Sequence, residues 1–504
     1  MQSRLFLSAT LLLALTMAAC GGSGSFTPPP PPGNGPFSNA SLSGNYAFTM
    51  NGSDANGFFI RTGSLVADGK GNFTGNEDVN SGLGPSGQIS FNGTYSIGGD
   101  GRGTLIANPN TTRTTTYRLT VVSNTSVLII QNDSFSTASG NLTAQNTASF
   151  NAGLGGDYAF DFSGVDSTLH PLSIVGAFTA NTAGQFQTFE TDMNDAGSPT
   201  QNVVTNGNFS SVDPTTGRGT ASIQTTLGPL TFAYYIVSST RAFFISTNSG
   251  ATPAVSGTIS TQQPPITGFA SSAFLNDYSF LISGSSPSGG IGDAGRFHAD
   301  GVSAISLGVL DENDNGQVTP QPGGLSFTGS FTNVDLFGRS TISLNTSPMA
   351  TFVFYLISPQ SAVMQETDSS IVSNGSIQTQ TGGPFSNASL KSHFALNMTG
   401  TGITQIGGAN PGRFDLIGDL AFDGAGNITG AEFTNDQSSV IIPGSAGLTG
   451  TYSLAANGRG TMTLMLGGGT TLHFAIYVTD ASTIYLQGTD MDAVIVGIAS
   501  NQNF

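Results

Sequence analysis

Apolar and polar residues alternate along this chain with a period of two. In one clear stretch Leu472, Phe474, Ile476 and Val478 fall on one side and His473, Ala475, Tyr477 and Thr479 on the other. That is the pattern of a β-strand with one face in a core. Similar short stretches recur along the chain, separated by clusters of Gly, Asp and Asn such as Ala67-Asp-Gly-Lys-Gly-Asn-Phe-Thr-Gly75. Gly and Asx residues there supply the backbone angles of tight turns. No segment shows a helical period, so the pattern predicts an all-β protein.

The pattern repeats four times. The first strand of each copy reads Asn45-Tyr-Ala-Phe-Thr-Met, Asp157-Tyr-Ala-Phe-Asp-Phe, Asp277-Tyr-Ser-Phe-Leu-Ile and His393-Phe-Ala-Leu-Asn-Met. Pro36-Phe-Ser-Asn-Ala-Ser-Leu42 returns unchanged as residues 384–390. A Gly-Arg turn marks every copy, at Arg102, Arg218, Arg339 and Arg459, and each copy ends on a glutamine: Gln145, Gln262, Gln380 and Gln502. The predicted domains are 37–149, 150–267, 268–384 and 385–504. Each holds about eight strands with short connections, which favours an antiparallel meander closed into a small barrel. An open two-sheet sandwich is the alternative.

Composition narrows the function. The formal net charge is −17 and lysine is confined to Lys70 and Lys391. A nucleic-acid partner needs a basic face and is therefore not expected. The one cysteine, Cys20, excludes a disulfide framework and a cysteine metal site.

Residues 1–19 combine Arg4, an apolar run from Leu5 to Met17 and small residues up to Met17-Ala18-Ala19-Cys20-Gly21. This resembles the signal and lipobox of bacterial lipoproteins. The resemblance implies cleavage before Cys20, lipidation of its thiol and, with Gly21 following, an outer-membrane or cell-surface address in the cell envelope. Residues 20–36 then read as a tether, with a flexible Gly/Ser part and a stiff polyproline part at Pro28–Pro32.

Two sets of retained residues are candidates for a role. The repeat arginines Arg102, Arg218, Arg339 and Arg459 read as structural, each bonding carbonyls at the end of its own domain or stacking on an aromatic such as Tyr46. Oxygen-bearing side chains mark the ends of the third and seventh strands: Asp78, Asn80 and Asp133; Asp192, Asn194 and Asn248; Asp311, Asn313 and Asp368. A meander brings both strand ends to the same loop end. The set therefore reads either as Asx turns or as calcium sites in copies one to three that would stiffen a rod of domains. Phe433 replaces the aspartate in copy four.

The four histidines occupy unrelated phases of the repeat, and no nucleophile-turn or zinc motif is present, so no enzyme is expected. The sequence thus predicts a lipid-anchored envelope protein that acts as a surface spacer or adhesion module toward a protein or polysaccharide. The alternative is a carrier of a small apolar or sugar-like ligand in its barrel mouths.

Overall fold

The computed structural model describes residues 35–81, 84–109, 114–133, 135–201, 204–225, 228–248, 253–318, 323–402, 412–436, 440–467 and 469–502. The signal segment, Cys20 and most of the tether lie outside the described residues.

Each repeat folds into a closed antiparallel barrel of eight strands. In barrel one the strands run in order from Ser43–Asp54 to Ser136–Ala144, and the first pairs with both the second and the eighth. Barrels two and three each carry one extra short strand, Ser198–Gln201 and Gln317–Val318, paired as a hairpin with the end of the third strand. Closure pairs every strand on both sides and removes exposed edges.

The barrel interiors are largely apolar, with a buried Arg61–Glu77 ion pair at 2.7 Å inside barrel one. Tyr46, Phe48 and Met50 of the first strand point into the core of barrel one, and Phe394, Leu396 and Met398 do the same in barrel four. Barrels two and three are filled by aromatic clusters, among them Phe160, Phe162, Phe232 and Phe244. A membrane-spanning barrel has the reverse polarity, with a polar lumen and an apolar outer band.

The verbatim repeat 36–42 and 384–390 seals the end of a barrel. Phe37 and Leu42 enter the core, a short 3-10 turn spans Asn39–Ser41, and Tyr95 donates its hydroxyl to the Leu42 carbonyl at 2.6 Å. Tyr452 repeats the bond to Leu390 at 3.0 Å.

The barrels do not extend as a rod; they close into a ring. The second strand of each barrel packs on the sixth to eighth strands of the next: Gly57–Asp68 on barrel two, Pro171–Ala180 on barrel three, Gly289–Asp300 on barrel four and Arg413–Phe422 back on barrel one. This head-to-tail interface, used four times, closes on itself. Apolar clusters fill each contact, from Ala47 with Tyr235, Val237 and Phe243 to Ile130 with Ile417 and Phe433. The sixth strand is therefore buried on both faces. Phe474 and Ile476 enter their own barrel, while Ala475 and Tyr477 meet barrel three.

Candidate functional site

The repeat arginines define the joints of the ring. Among the described residues three of them bond a carboxylate of the preceding barrel instead of the expected carbonyls of their own, and the Tyr46 hydroxyl donates to the Asn124 carbonyl. Arg218 reaches into barrel one and grips Asp78 through Nε at 2.7 Å and Nη2 at 2.9 Å. Arg339 grips Asp192 at 2.8 and 3.0 Å, and Arg459 grips Asp311 at 2.7 and 2.8 Å. Two parallel bonds suit the planar guanidinium.

A tyrosine completes each clamp. Tyr235, Tyr355 and Tyr477 donate to the same carboxylates at 2.6, 2.6 and 2.5 Å. Burial and then the adjacent aspartate charge push all three phenols above their ordinary pKa. The tyrosines stay neutral donors as a result. The hydrogen bond to Asp78 likewise raises the Arg218 pKa and keeps that cation charged.

The fourth joint is built differently on both sides. Phe433 stands where the other barrels have aspartate, and Arg102 and Arg118 of barrel one lie over its ring at 5.2 and 4.9 Å from the centroid. Arg102 takes Asp100 of its own turn at 2.7 Å. The strand position paired with Arg102 holds Thr120, where Tyr235, Tyr355 and Tyr477 pair with the other three arginines. Loss of the carboxylate is matched by loss of the phenol. Polar contacts fasten the same seam: Thr137 donates to Asp415 at 2.6 Å and Ser139 to Asn397 at 2.8 Å.

A second ring of bonds comes from the terminal glutamines. Gln145 donates to the Ile236 carbonyl, Gln262 to Leu356, Gln380 to Val478 and Gln502 to Val121, at 2.6 to 2.8 Å. The last of these joins the end of the chain to barrel one. The Gly-Arg turn makes room for them. Gly217 has φ +72°, and a Cβ there would stand 2.9 Å from Gln145 Nε2.

The residues read as oxygen donors therefore separate. Asp78, Asp192 and Asp311 face the next barrel and carry a guanidinium. Asn80 donates to the Ser246 carbonyl, Asn194 to Glu366 and Asn313 to Gly488, all across joints. Asp133 accepts from the Phe135 and Ser136 N–H groups, as an Asx turn does, whereas Asn248 and Asp368 accept from the N–H of Thr231 and Thr351 on the sixth strand of their own barrels. These third-strand side chains point outward to a neighbouring barrel, and their bonds there separate them from the seventh-strand set. Among the described residues no group of three or more His, Cys, Asp or Glu is placed to hold a metal.

The histidines are likewise dispersed, each beside a carboxylate of its own barrel: His170 by Asp166, His298 by Asp277, His393 by Asp419 and His473 by Asp490.

Room for a ligand lies between the barrels. Internal spaces in barrels one and two measure about 30 and 20 Å³, enough for roughly one water. Among the described residues, those two interiors have no room for a sugar-sized ligand. A cavity of about 560 Å³ lies where the four first strands come together on the ring axis. It is lined at equivalent repeat positions by Asn51, Ser163, Ser283 and Thr399, and by Gly52, Gly164, Gly284 and Gly400. A further space of about 410 Å³ lies outside barrel one, between Thr74, Asn92 and the Thr215–Thr216 turn of barrel two.

No protein-family model matches the chain. No curated protein matches it either. Among solved structures, the isotype 1 transferrin binding protein B from serogroup B Neisseria meningitidis matches with 8% identity and a TM-score of 0.20, covering 76% of this chain and 84% of that one. A mutant of transferrin binding protein B from Haemophilus parasuis Hp5 matches with 8% identity and a TM-score of 0.20, covering 75% and 84%. The functional reading rests on this chain's own geometry.

Proposed function

We propose that the chain is a non-enzymatic binding module of the bacterial cell envelope, anchored by lipid at Cys20 and held off the membrane by residues 20–36. The observation that supports this reading is the ring itself. Four barrels joined at buried seams, three of them clamped by Arg, Asp and Tyr, form a stiff platform with free space between the units. Such a body suits recognition of an external protein or polysaccharide better than it suits spanning distance. The spacer role falls to the tether, where Gly/Ser and polyproline segments set the reach.

The start of barrel one lies at one face of the ring. Phe37 at the start of barrel one bonds Gly99 beside its Gly-Arg turn, and Gln145 N bonds the Asn45 carbonyl at the start of the same barrel. A tether preceding Phe37 would approach the ring from that face. The axial cavity is lined by the far ends of the first strands and so lies toward the opposite face, away from the lipid surface.

The test is to express the full chain and its Cys20→Ser variant in a bacterial host. The reading expects a diacylglyceryl-modified N-terminal peptide beginning at Cys20 and recovery in the envelope membrane fraction. Cys20→Ser should leave that fraction. A mature chain with an unbroken peptide across Ala19 and Cys20 would contradict the anchor.

A further inference from the structure

We propose that the cavity on the ring axis is a binding site for a neutral oligosaccharide. This rests on the binding-module reading above and adds the place and the ligand class.

Size comes first. About 560 Å³ falls within the range of small-ligand sites, roughly 300–1,000 Å³. The lining comes second. Ser163, Ser283 and Thr399 share one repeat position with Asn51, and Ser285 and Thr401 lie two residues further along their strands. A hydroxyl can both donate and accept, as sugar hydroxyls do; Thr399 and Ser285 already donate, to Asp415 and to the Gly289 carbonyl, and keep their lone pairs as acceptors for a polyol. Phe58, Ile291 and Val494 contribute apolar surface between these groups. The half-buried Phe58 ring is a flat face of the kind that packs on the C–H side of a sugar.

Charge decides the class. Among the described residues the cavity lining has one cation, Arg413, and it is already matched: Nε and Nη2 donate to Asp415 at 2.9 and 3.0 Å, and Nη2 also donates to Asn51 at 2.9 Å. Asp415 is fully buried and takes further hydroxyls from Thr137 and Thr399. A paired guanidinium offers an anion little, and a cation would meet no exposed carboxylate among the lining residues. A neutral, hydroxyl-rich ligand fits both facts.

The chain contains no tryptophan, so Phe58→Trp in the full chain creates a single fluorescent reporter in the cavity wall. It would be titrated with the tetrasaccharides of maltose, cellobiose and chitobiose type, with a galacturonate oligomer as the acidic probe. Phe135→Trp, at a site 60% exposed on barrel one, serves as the distant control. Calorimetry on the unsubstituted chain repeats the titration without the reporter. The expected result is a saturable spectral shift with at least one neutral sugar, with the control silent and matching heat in the unsubstituted chain.

Adding Ser283→Tyr fills the axis and should weaken that binding about tenfold or more with the melting temperature unchanged. No shift and no heat with any neutral sugar would overturn the proposal. So would a response confined to the galacturonate oligomer, or one that survives Ser283→Tyr. If the ring still adheres to an envelope polymer when Ser283→Tyr is present, the axial site fails while the binding-module reading stands.

Discussion

At the scale of single residues, the account turns on carboxylates placed where a neighbouring barrel can use them. Asp311 is fully buried and holds both Arg459 and Tyr477. Removing one member strands the others in a medium that solvates charge poorly, and breaking such pairs costs about 3–5 kcal/mol. Asp311→Ala is therefore expected to lower the urea midpoint by an equivalent amount. The fourth joint allows a reverse experiment. Phe433→Asp alone should destabilise, because it removes the ring that Arg102 and Arg118 cover. Phe433→Asp with Thr120→Tyr should recover part of the loss by rebuilding the clamp of the other three joints.

Other carboxyls set the pH response. Burial pushes Asp161, Glu190 and Glu366 up to about 7. Between roughly pH 4 and 7 the folded chain keeps protons that the unfolded chain has lost. Their stabilising effect is whole below the unfolded value and disappears as pH rises through 7. Asp68 and Asp423 are held down to about 2 by hydrogen bonds from Asn72 and Asn427. Their contribution is present above about pH 4 and lost on acidification. Melting temperature is thus expected to be highest near pH 4–5 and to fall toward pH 8, with a shallower fall in Asp161→Asn. A melting temperature that rises steadily from pH 5 to 8 would contradict this.

At the scale of elements, strand periodicity was enough to read the barrels, because each strand's inward face carries its own apolar code. Eight strands per copy followed from the alternation and the turn clusters, and short connections favoured a barrel over a sandwich. The outward faces were harder to read. Asp78, Asp192 and Asp311 were visible as retained residues. Their arginines lie 140 to 148 positions further on in the next copy, and a single repeat shows no such distance. Tyr235, Tyr355 and Tyr477 were missed as joint residues. The available signal was a large aromatic kept on the outward parity of the sixth strand, replaced by Thr120 only where Phe433 replaces the aspartate.

The Gly-Arg turn was read as a strand connector, yet it is also a socket for the glutamine of the preceding barrel. Gly217→Ala places a Cβ against Phe150 and Gln145 in a left-handed conformation. It should cost about 1 kcal/mol or more, read as a lower denaturation midpoint. The same change at Gly57, where a Cβ would meet nothing within 4 Å, carries only the backbone part of that cost.

At the scale of the whole molecule, four tandem units could have formed a string, a rod or a ring, and sequence order does not choose among them. Curvature is set by the angle between one barrel's second strand and the next barrel's sixth, a property of side-chain packing at the joints. Closure then requires the first and last barrels to meet, and Gln502, Phe433 and Asp415 make that meeting specific. Four joints in a ring also hold each barrel on two sides, so opening any single joint leaves the others to resist separation.

Small-angle X-ray scattering of residues 35–502 tests closure most directly. Compact packing of that length gives a radius of gyration of roughly 23 Å, whereas four barrels in line give roughly 35 Å or more. The account predicts the smaller value, with a distance distribution that ends at the span of two barrels. A radius near the larger value, with a long tail in the distribution, would contradict the ring and with it the axial cavity.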